Sequence, residues 1–155
     1  MSTDESKAYQ TLRGFVTGDE PADLTPTFSY YAMLRISSDS GLDFESIRRE
    51  LQVAPTATLV RGQRRGPRSQ ESPEDAWMYR PPVADNADLE EHVNALWSTL
   101  KPHEDYILAL KASYCVRIIL GYSSNIDHAG LVLSSESLEL FSRLRVPLEL
   151  NIVVL

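Results

Sequence analysis

The residues best suited to hold a charged group are four arginines in one short stretch, residues 58–70, which reads TLVRGQRRGPRSQ. Its members are Arg61, Arg64, Arg65 and Arg68. Arginine makes planar, bidentate contacts with carboxylate and phosphate groups. The stretch therefore predicts either a partner-binding loop or a solvated turn between two strands. A phosphate site is the weaker interpretation, because no helix start follows to direct backbone N–H groups at the anion.

The overall charge bears on which partner such a loop could take. The formal net charge is -7, whereas affinity for nucleic acid depends largely on clustered lysines and arginines that release counterions from phosphates. We therefore predict no nucleic-acid partner.

Four aromatic residues form the second candidate set. Tyrosine, tryptophan and arginine dominate the binding energy of protein interfaces. We predict that Tyr31 and Tyr122 form an exposed pair, and that Trp77 and Tyr79 lie beside the arginine loop as an anchor for a protein partner. The alternative is that these rings pack against each other within the sheet.

No catalytic or metal-binding set stands out. The three histidines, His92, His103 and His128, are separated by 11 and 25 positions, and no pair has the short spacing of a zinc site. We expect Cys115 to be a core residue of a strand, since nothing there would lower its pKa. Motifs for a serine nucleophile or a phosphate-binding loop are missing. The sequence predicts no catalytic residues, metal or cofactor and favours a non-enzymatic protein.

These residues are positioned by strands and helices that the apolar spacing predicts. Alternation of apolar and polar residues predicts strands at 28–37 and 147–155. The segments 56–62, 75–81, 114–124 and 129–135 are interpreted as further strands. Apolar residues three and four apart predict helices at 39–55, 87–102, 103–111 and 136–145. Asp43, Asp88 and Ser134 are the predicted N-cap residues, and Glu91 should complete a capping box with Asp88.

The order of these elements predicts an α+β fold, a mainly antiparallel sheet with helices packed on one face. The junctions ELQVAPTATLV and RLRVPLELNIV both run from a helix end through valine and proline into a strand. This similarity suggests two duplicated strand–helix–strand units. We predict a loosely ordered leader at 1–26 and a single domain at 27–155.

Three features bear on cellular location. The N-terminus reads MSTDESK, without an apolar run behind a basic start, which is what a secretory signal would need. No stretch approaches the roughly 18 apolar residues that span a bilayer. The single cysteine fits a reducing compartment. We predict a cytoplasmic protein with no membrane partner.

Taken in order, the segments LQVAPTATLVRG, LEEHVNALWSTLKP, VRIILGYSS and GLVLSSESLELFSRL resemble the domain-of-unknown-function family DUF4279, small bacterial proteins. The likeness covers about residues 28–155. It implies a small interaction or toxin-neutralising (immunity-type) protein and supplies no catalytic residues. The chain has Gln52 where we expect glycine, and Glu149 and Asn151 where we expect acidic residues, so we carry over no polar site on the final strand.

The sequence thus predicts a cytoplasmic protein-binding module that uses the arginine loop and the nearby aromatic residues. A different class stays open, a small-ligand or phosphate-binding protein in which the same arginines act with His92 or His128 as proton carrier. A third possibility is an oligomer paired through the edge of the C-terminal strand. Both a monomer and a homodimer are compatible with the sequence.

Overall fold

The computed structural model describes residues 27–64, 66–125 and 131–154. Five strands form one sheet: β1 Phe28–Ser38, β2 Ala57–Leu59, β3 Asp75–Tyr79, β4 Cys115–Ser124 and β5 Leu148–Val154. The helices are α1 Phe44–Leu51, α2 Leu89–Leu100, α3 Glu104–Leu110 and α4 Glu139–Leu144, with a 3-10 turn, Lys101–His103, between α2 and α3. The predicted leader at 1–26 lies outside the described residues.

The strand order across the sheet is β2-β3-β1-β4-β5. Three neighbouring pairs are antiparallel, and only β4 and β5 run parallel. The predicted α+β class with a mainly antiparallel sheet is therefore confirmed. Each half of the chain contains a strand, a helix and a second strand parallel to the first, but β3 lies between β1 and β2 whereas β4 and β5 are neighbours.

The strict alternation of β1 creates the two faces of the sheet. Ala32, Leu34 and Ile36 are fully buried on one side, and the opposed side chains of the neighbouring strands, such as Trp77 and Ile118, join them in the core. The apolar residues of the helices pack onto this side, which we call the helix face. The opposite side, which carries Tyr31 and Arg35, is the far face.

The predicted helix starts differ in outcome. The carboxylate of Asp43 accepts a hydrogen bond from the Ser46 N–H at 2.9 Å, so it caps α1 as predicted. Asp88 precedes α2, but its side chain makes no capping bond. Its backbone carbonyl instead accepts the Glu91 N–H at 3.0 Å. The predicted capping box is therefore wrong.

The predicted strand at 129–135 is also wrong for its described part, since residues 131–134 have no strand structure. Both sides of β4 are already paired, with β1 and β5. The chain after β4 must cross over the sheet to enter β5 in the parallel direction. Within this crossover the Ser134 hydroxyl accepts the Ser137 N–H at 3.2 Å, and α4 begins at Glu139, later than a Ser134 cap predicts.

In the described part of the chain, no helix is long and apolar enough to cross a lipid bilayer.

Candidate functional site

The described residues of the arginine stretch extend the β2–β3 hairpin. The Gly62 N–H donates to the Ser72 carbonyl and the Ser72 N–H to the Gln63 carbonyl, which continues the antiparallel pairing past β2. Gly62 has φ +82, a conformation that favours glycine. The base is fixed by Asp75, whose carboxylate accepts the backbone N–H of Arg61 at 2.7 Å. We call residues 60–74 the arginine hairpin.

The described arginines of the hairpin do not converge on one point. The Arg61 guanidinium donates to the backbone carbonyl of Asp39. Arg64 lies 3.3 Å from Glu71, and both side chains are about 60% exposed. Arg68 is exposed and has no acidic partner among the described residues, while Arg65 lies outside them. The geometry is that of separate, solvated side chains, unlike a cradle for one phosphate.

The predicted aromatic anchor beside this hairpin is not formed. Trp77 is fully buried and belongs to the core. Tyr79 is half-buried and stacks against Trp77, with ring centroids 6.3 Å apart. Both residues share a face as predicted, but it is the helix face, where the helices cover them. The prediction that they flank the arginines at the surface is therefore wrong.

The predicted exposed pair of Tyr31 and Tyr122 is wrong as well. The register pairs Tyr31 with Gly121, so Tyr122 points to the opposite face of the sheet. Tyr122 is only 7% exposed and stacks on Tyr30, with centroids 5.3 Å apart. Tyr31 stays on the far face, where the Arg80 guanidinium lies 3.7 Å from its ring centroid.

The far face carries charges that are paired with one another. Arg35 lies opposite Arg117 across β1 and β4, and each has an acidic neighbour: Glu74 at 2.7 Å from Arg35 and Glu149 at 3.9 Å from Arg117. Burial raises the pKa of Glu74, but the hydrogen bonds and the charge of Arg35 outweigh it and hold the pKa below its usual value. Arg35 also covers Met78, whose sulfur lies 3.8 Å from a guanidinium nitrogen.

A cavity of about 250 Å³ lies between the arginine hairpin and the far face. Its lining includes Arg35, Gln63, Gln70 and Leu59, but none of Arg61, Arg64 and Arg68. Pockets for small ligands usually measure about 300–1,000 Å³ and are mostly apolar. This cavity is smaller than that range and none of the described hairpin arginines line it, so it gives the predicted ligand-binding alternative little support.

His92, His128 and Cys115 are the residues considered for acid–base or nucleophilic chemistry. His92 is buried on α2 with 2% exposure, and burial lowers its pKa. His128 lies outside the described residues. Cys115 is exposed at the start of β4, so our prediction of a core cysteine is wrong. Its sulfur accepts a hydrogen bond from the Arg117 guanidinium at 3.2 Å. Among the described residues no group of three potential metal ligands is found.

One polar cluster has a structural role. Glu90 on α2 accepts hydrogen bonds from the Ser134 N–H at 3.1 Å and the Ser137 hydroxyl at 2.9 Å. Hydrogen bonds from the Ser134 side chain, the Ser137 hydroxyl and the Ser134 N–H lower the pKa of Glu90. They attach the crossover segment to α2, where Asn94 Oδ1 also lies 2.9 Å from the Ser137 hydroxyl oxygen. Among the described residues, no histidine takes part in this network to activate a serine.

The strongest surface feature is β5, which forms one edge of the sheet. Among the described residues, eight large apolar side chains are exposed, and five of them belong to this seven-residue strand. They are 45–59% exposed: Leu148, Leu150, Ile152, Val153 and Val154. The sequence predicted the alternation of this strand and suggested edge pairing. It did not predict that both faces of the strand would be uncovered, since that depends on the strand order.

The comparisons with known proteins give one result. Searches among curated proteins and among solved structures return no match. The family model described as "Domain of unknown function (DUF4279)" matches residues 28–155. Because this match covers most of the chain and includes every strand and helix described above, the protein belongs to the DUF4279 family.

Proposed function

We propose that this protein is a non-enzymatic protein-binding module whose binding surface is the outer edge of β5. The observation that carries the proposal is the concentration of exposed apolar side chains on this strand. An apolar edge strand with unpaired backbone N–H and C=O groups is a template for a further strand. Binding would add an extended polypeptide segment to the sheet.

The two edges of the sheet differ in the way this proposal requires. The opposite edge strand, β2, has only three residues, and a short edge strand gives little room for pairing. β5 has seven residues, and none of them is lysine or proline, the residues that commonly block pairing at an edge. The longer edge therefore offers both the backbone groups and the apolar contact area.

The arginine hairpin supports a binding role less well. Interfaces draw most of their binding energy from buried aromatic and arginine anchors, and here Trp77 and Tyr79 are turned into the core or half-buried. Neither of these two aromatic rings is therefore available at the surface to form an anchor with the exposed arginines Arg61, Arg64 and Arg68. The ligand-binding alternative is weaker again, because the cavity beside the hairpin excludes these arginines from its lining.

The proposal also includes a cytoplasmic location and an immunity-type role. The single cysteine, exposed and unpaired, is the support for a cytoplasmic location. The family resemblance is the support for an immunity-type role. Either statement can fail without affecting the binding surface.

A photo-crosslinking amino acid placed at residue 152 in living cells tests the proposal. We expect covalent adducts with polypeptide, since the Ile152 side chain is 59% exposed and lies on the proposed surface. The matched control places the same group at Val132, which is 57% exposed outside the sheet. Adducts from residue 152 no more abundant than those from residue 132 would overturn the proposal.

A further inference from the structure

We infer that the polypeptide added to β5 is β5 of a second copy of this chain, paired antiparallel about a two-fold axis at Asn151. This inference rests on the proposed function and names the partner of the same surface. It joins two five-stranded sheets into one continuous sheet of ten strands. Such an interface is isologous, because each copy contributes the same strand.

The sequence of β5 is complementary to itself in this arrangement. Full overlap of the seven residues Leu148–Val154 places Asn151 opposite its own copy. Leu148 then faces Val154, and Leu150 faces Ile152, so apolar side chains meet along the helix-face side of the strand. Cross-strand apolar pairs of this kind are the unit of sheet stabilisation.

The other side of the strand contains nothing that opposes the pairing. Glu149 would stand opposite Val153, and the two Asn151 side chains would meet at the axis. An asparagine amide both donates and accepts hydrogen bonds, so it can pair with its own copy. The register therefore leaves no side chain of β5 facing a group of the same charge.

Charge also favours a second copy over a foreign strand. Glu149 is the only charged residue of β5, and Arg117 of the same chain lies 3.9 Å from it. Two copies consequently bring no uncompensated like charges together at this edge. A foreign strand would usually be selected by complementary charges, and β5 has only one charged residue with which to select it. The apolar residues of β5, in contrast, face apolar residues when the strand pairs with its own copy.

The first experiment measures the mass of the full chain in solution by light scattering. The wild type should have twice the 17.4 kDa of one chain. Ile152→Lys should reduce the mass to that of one chain, because a lysine on the edge interrupts the apolar pairs. Val132→Lys is the matched control and should remain a dimer. Both replaced side chains are more than half exposed, and unchanged melting temperatures of diluted, monomeric samples show that the fold is kept.

The second experiment tests the register by disulfide formation in a Cys115→Ser background, which removes the exposed native thiol. Asn151→Cys should crosslink two chains under mild oxidation, since facing Cα atoms in an antiparallel pair lie about 4.5–5.5 Å apart. Glu149→Cys should crosslink far less, because its opposite residue is Val153.

Failure of the inference differs from failure of the proposed function. A wild-type monomer at high protein concentration, a dimer that persists in Ile152→Lys, or equal crosslinking by the two cysteine variants would overturn the self-pairing. A monomer that still forms adducts with another protein from residue 152 would leave the binding surface in place and give it a different partner.

Discussion

Tyr31 lies against Gly121 on the far face, and replacing this glycine with alanine should destabilise the fold. A Cβ atom on Gly121 would lie 1.8 Å from Cε1 and 2.2 Å from Cζ of Tyr31, far inside contact distance. The two residues are direct partners across β1 and β4. The ring would have to swing away, and its packing under the Arg80 guanidinium at 3.7 Å would be lost.

The expected magnitude is the difference between two opposing effects. Forcing an extra methyl group into a packed site costs about 1–3 kcal/mol, and the lost arginine–aromatic contact adds about 0.5–1 kcal/mol. Alanine is otherwise better than glycine in a strand by about 0.5–1 kcal/mol, and Gly121 does not have the positive φ that would forbid a side chain. Gly121→Ala should therefore lower the free energy of unfolding by about 0.5–3.5 kcal/mol, with a central value of about 2 kcal/mol.

Urea denaturation of the wild type, Gly121→Ala, Tyr31→Ala and the double variant measures this coupling. Once the ring is removed, the clash disappears, and Gly121→Ala should become stabilising by about 0.5–1 kcal/mol. The sign of the effect thus reverses between the two backgrounds. An equal loss of stability in both backgrounds would refute the close packing of Tyr31 on Gly121.

Three further predictions concern the helices and the hairpin. Asp43→Ala should cost about 1 kcal/mol of stability in urea denaturation, whereas Asp88→Ala, whose carboxylate makes no capping bond, should cost less than half as much; equal losses would contradict the assigned caps. Burial holds the pKa of His92 below its usual 6.5, so the unfolded chain takes up this proton at a higher pH than the folded chain does. The stability that the neutral, buried His92 side chain contributes should be fully present above pH 6.5 and should be lost as the pH falls below that value. Denaturation midpoints plotted against pH should have a shallower slope for His92→Gln than for the wild type. An unchanged slope would refute the lowered pKa of His92. Arg64→Ala should change the free energy of unfolding by less than about 0.5 kcal/mol, because its ion pair with Glu71 is solvated; a loss above 1 kcal/mol would contradict this.

The predictions that held are those that depend on neighbouring residues in the chain. The alternation of β1 gave both the strand and the two sets of residues that share a face, because side-chain direction has a period of two. The Asp43 cap held because its partner, Ser46, lies only three residues away. Even a local prediction can fail, as Asp88 shows. Its backbone carbonyl accepts the Glu91 N–H that we expected its carboxylate to accept.

The predictions that failed depend on how distant segments meet. Alternation shows that Trp77 and Tyr79 share a face, but not that the helices cover that face. Tyr31 and Tyr122 lie on opposite sides because the register pairs Tyr31 with Gly121, which no local pattern fixes. The exposure of β5 likewise follows from its place at the end of the strand order.

The most direct test of the central claim is residue-resolved hydrogen exchange of the β5 backbone amides in the full chain. In an edge strand, alternate residues direct their N–H groups to the neighbouring strand, and those between them direct theirs outward. We predict that both sets of β5 amides are protected at high protein concentration, and that the outward set loses protection on dilution and in Ile152→Lys. Protection confined to the set that faces β4, at every concentration, would contradict the pairing of two copies through β5.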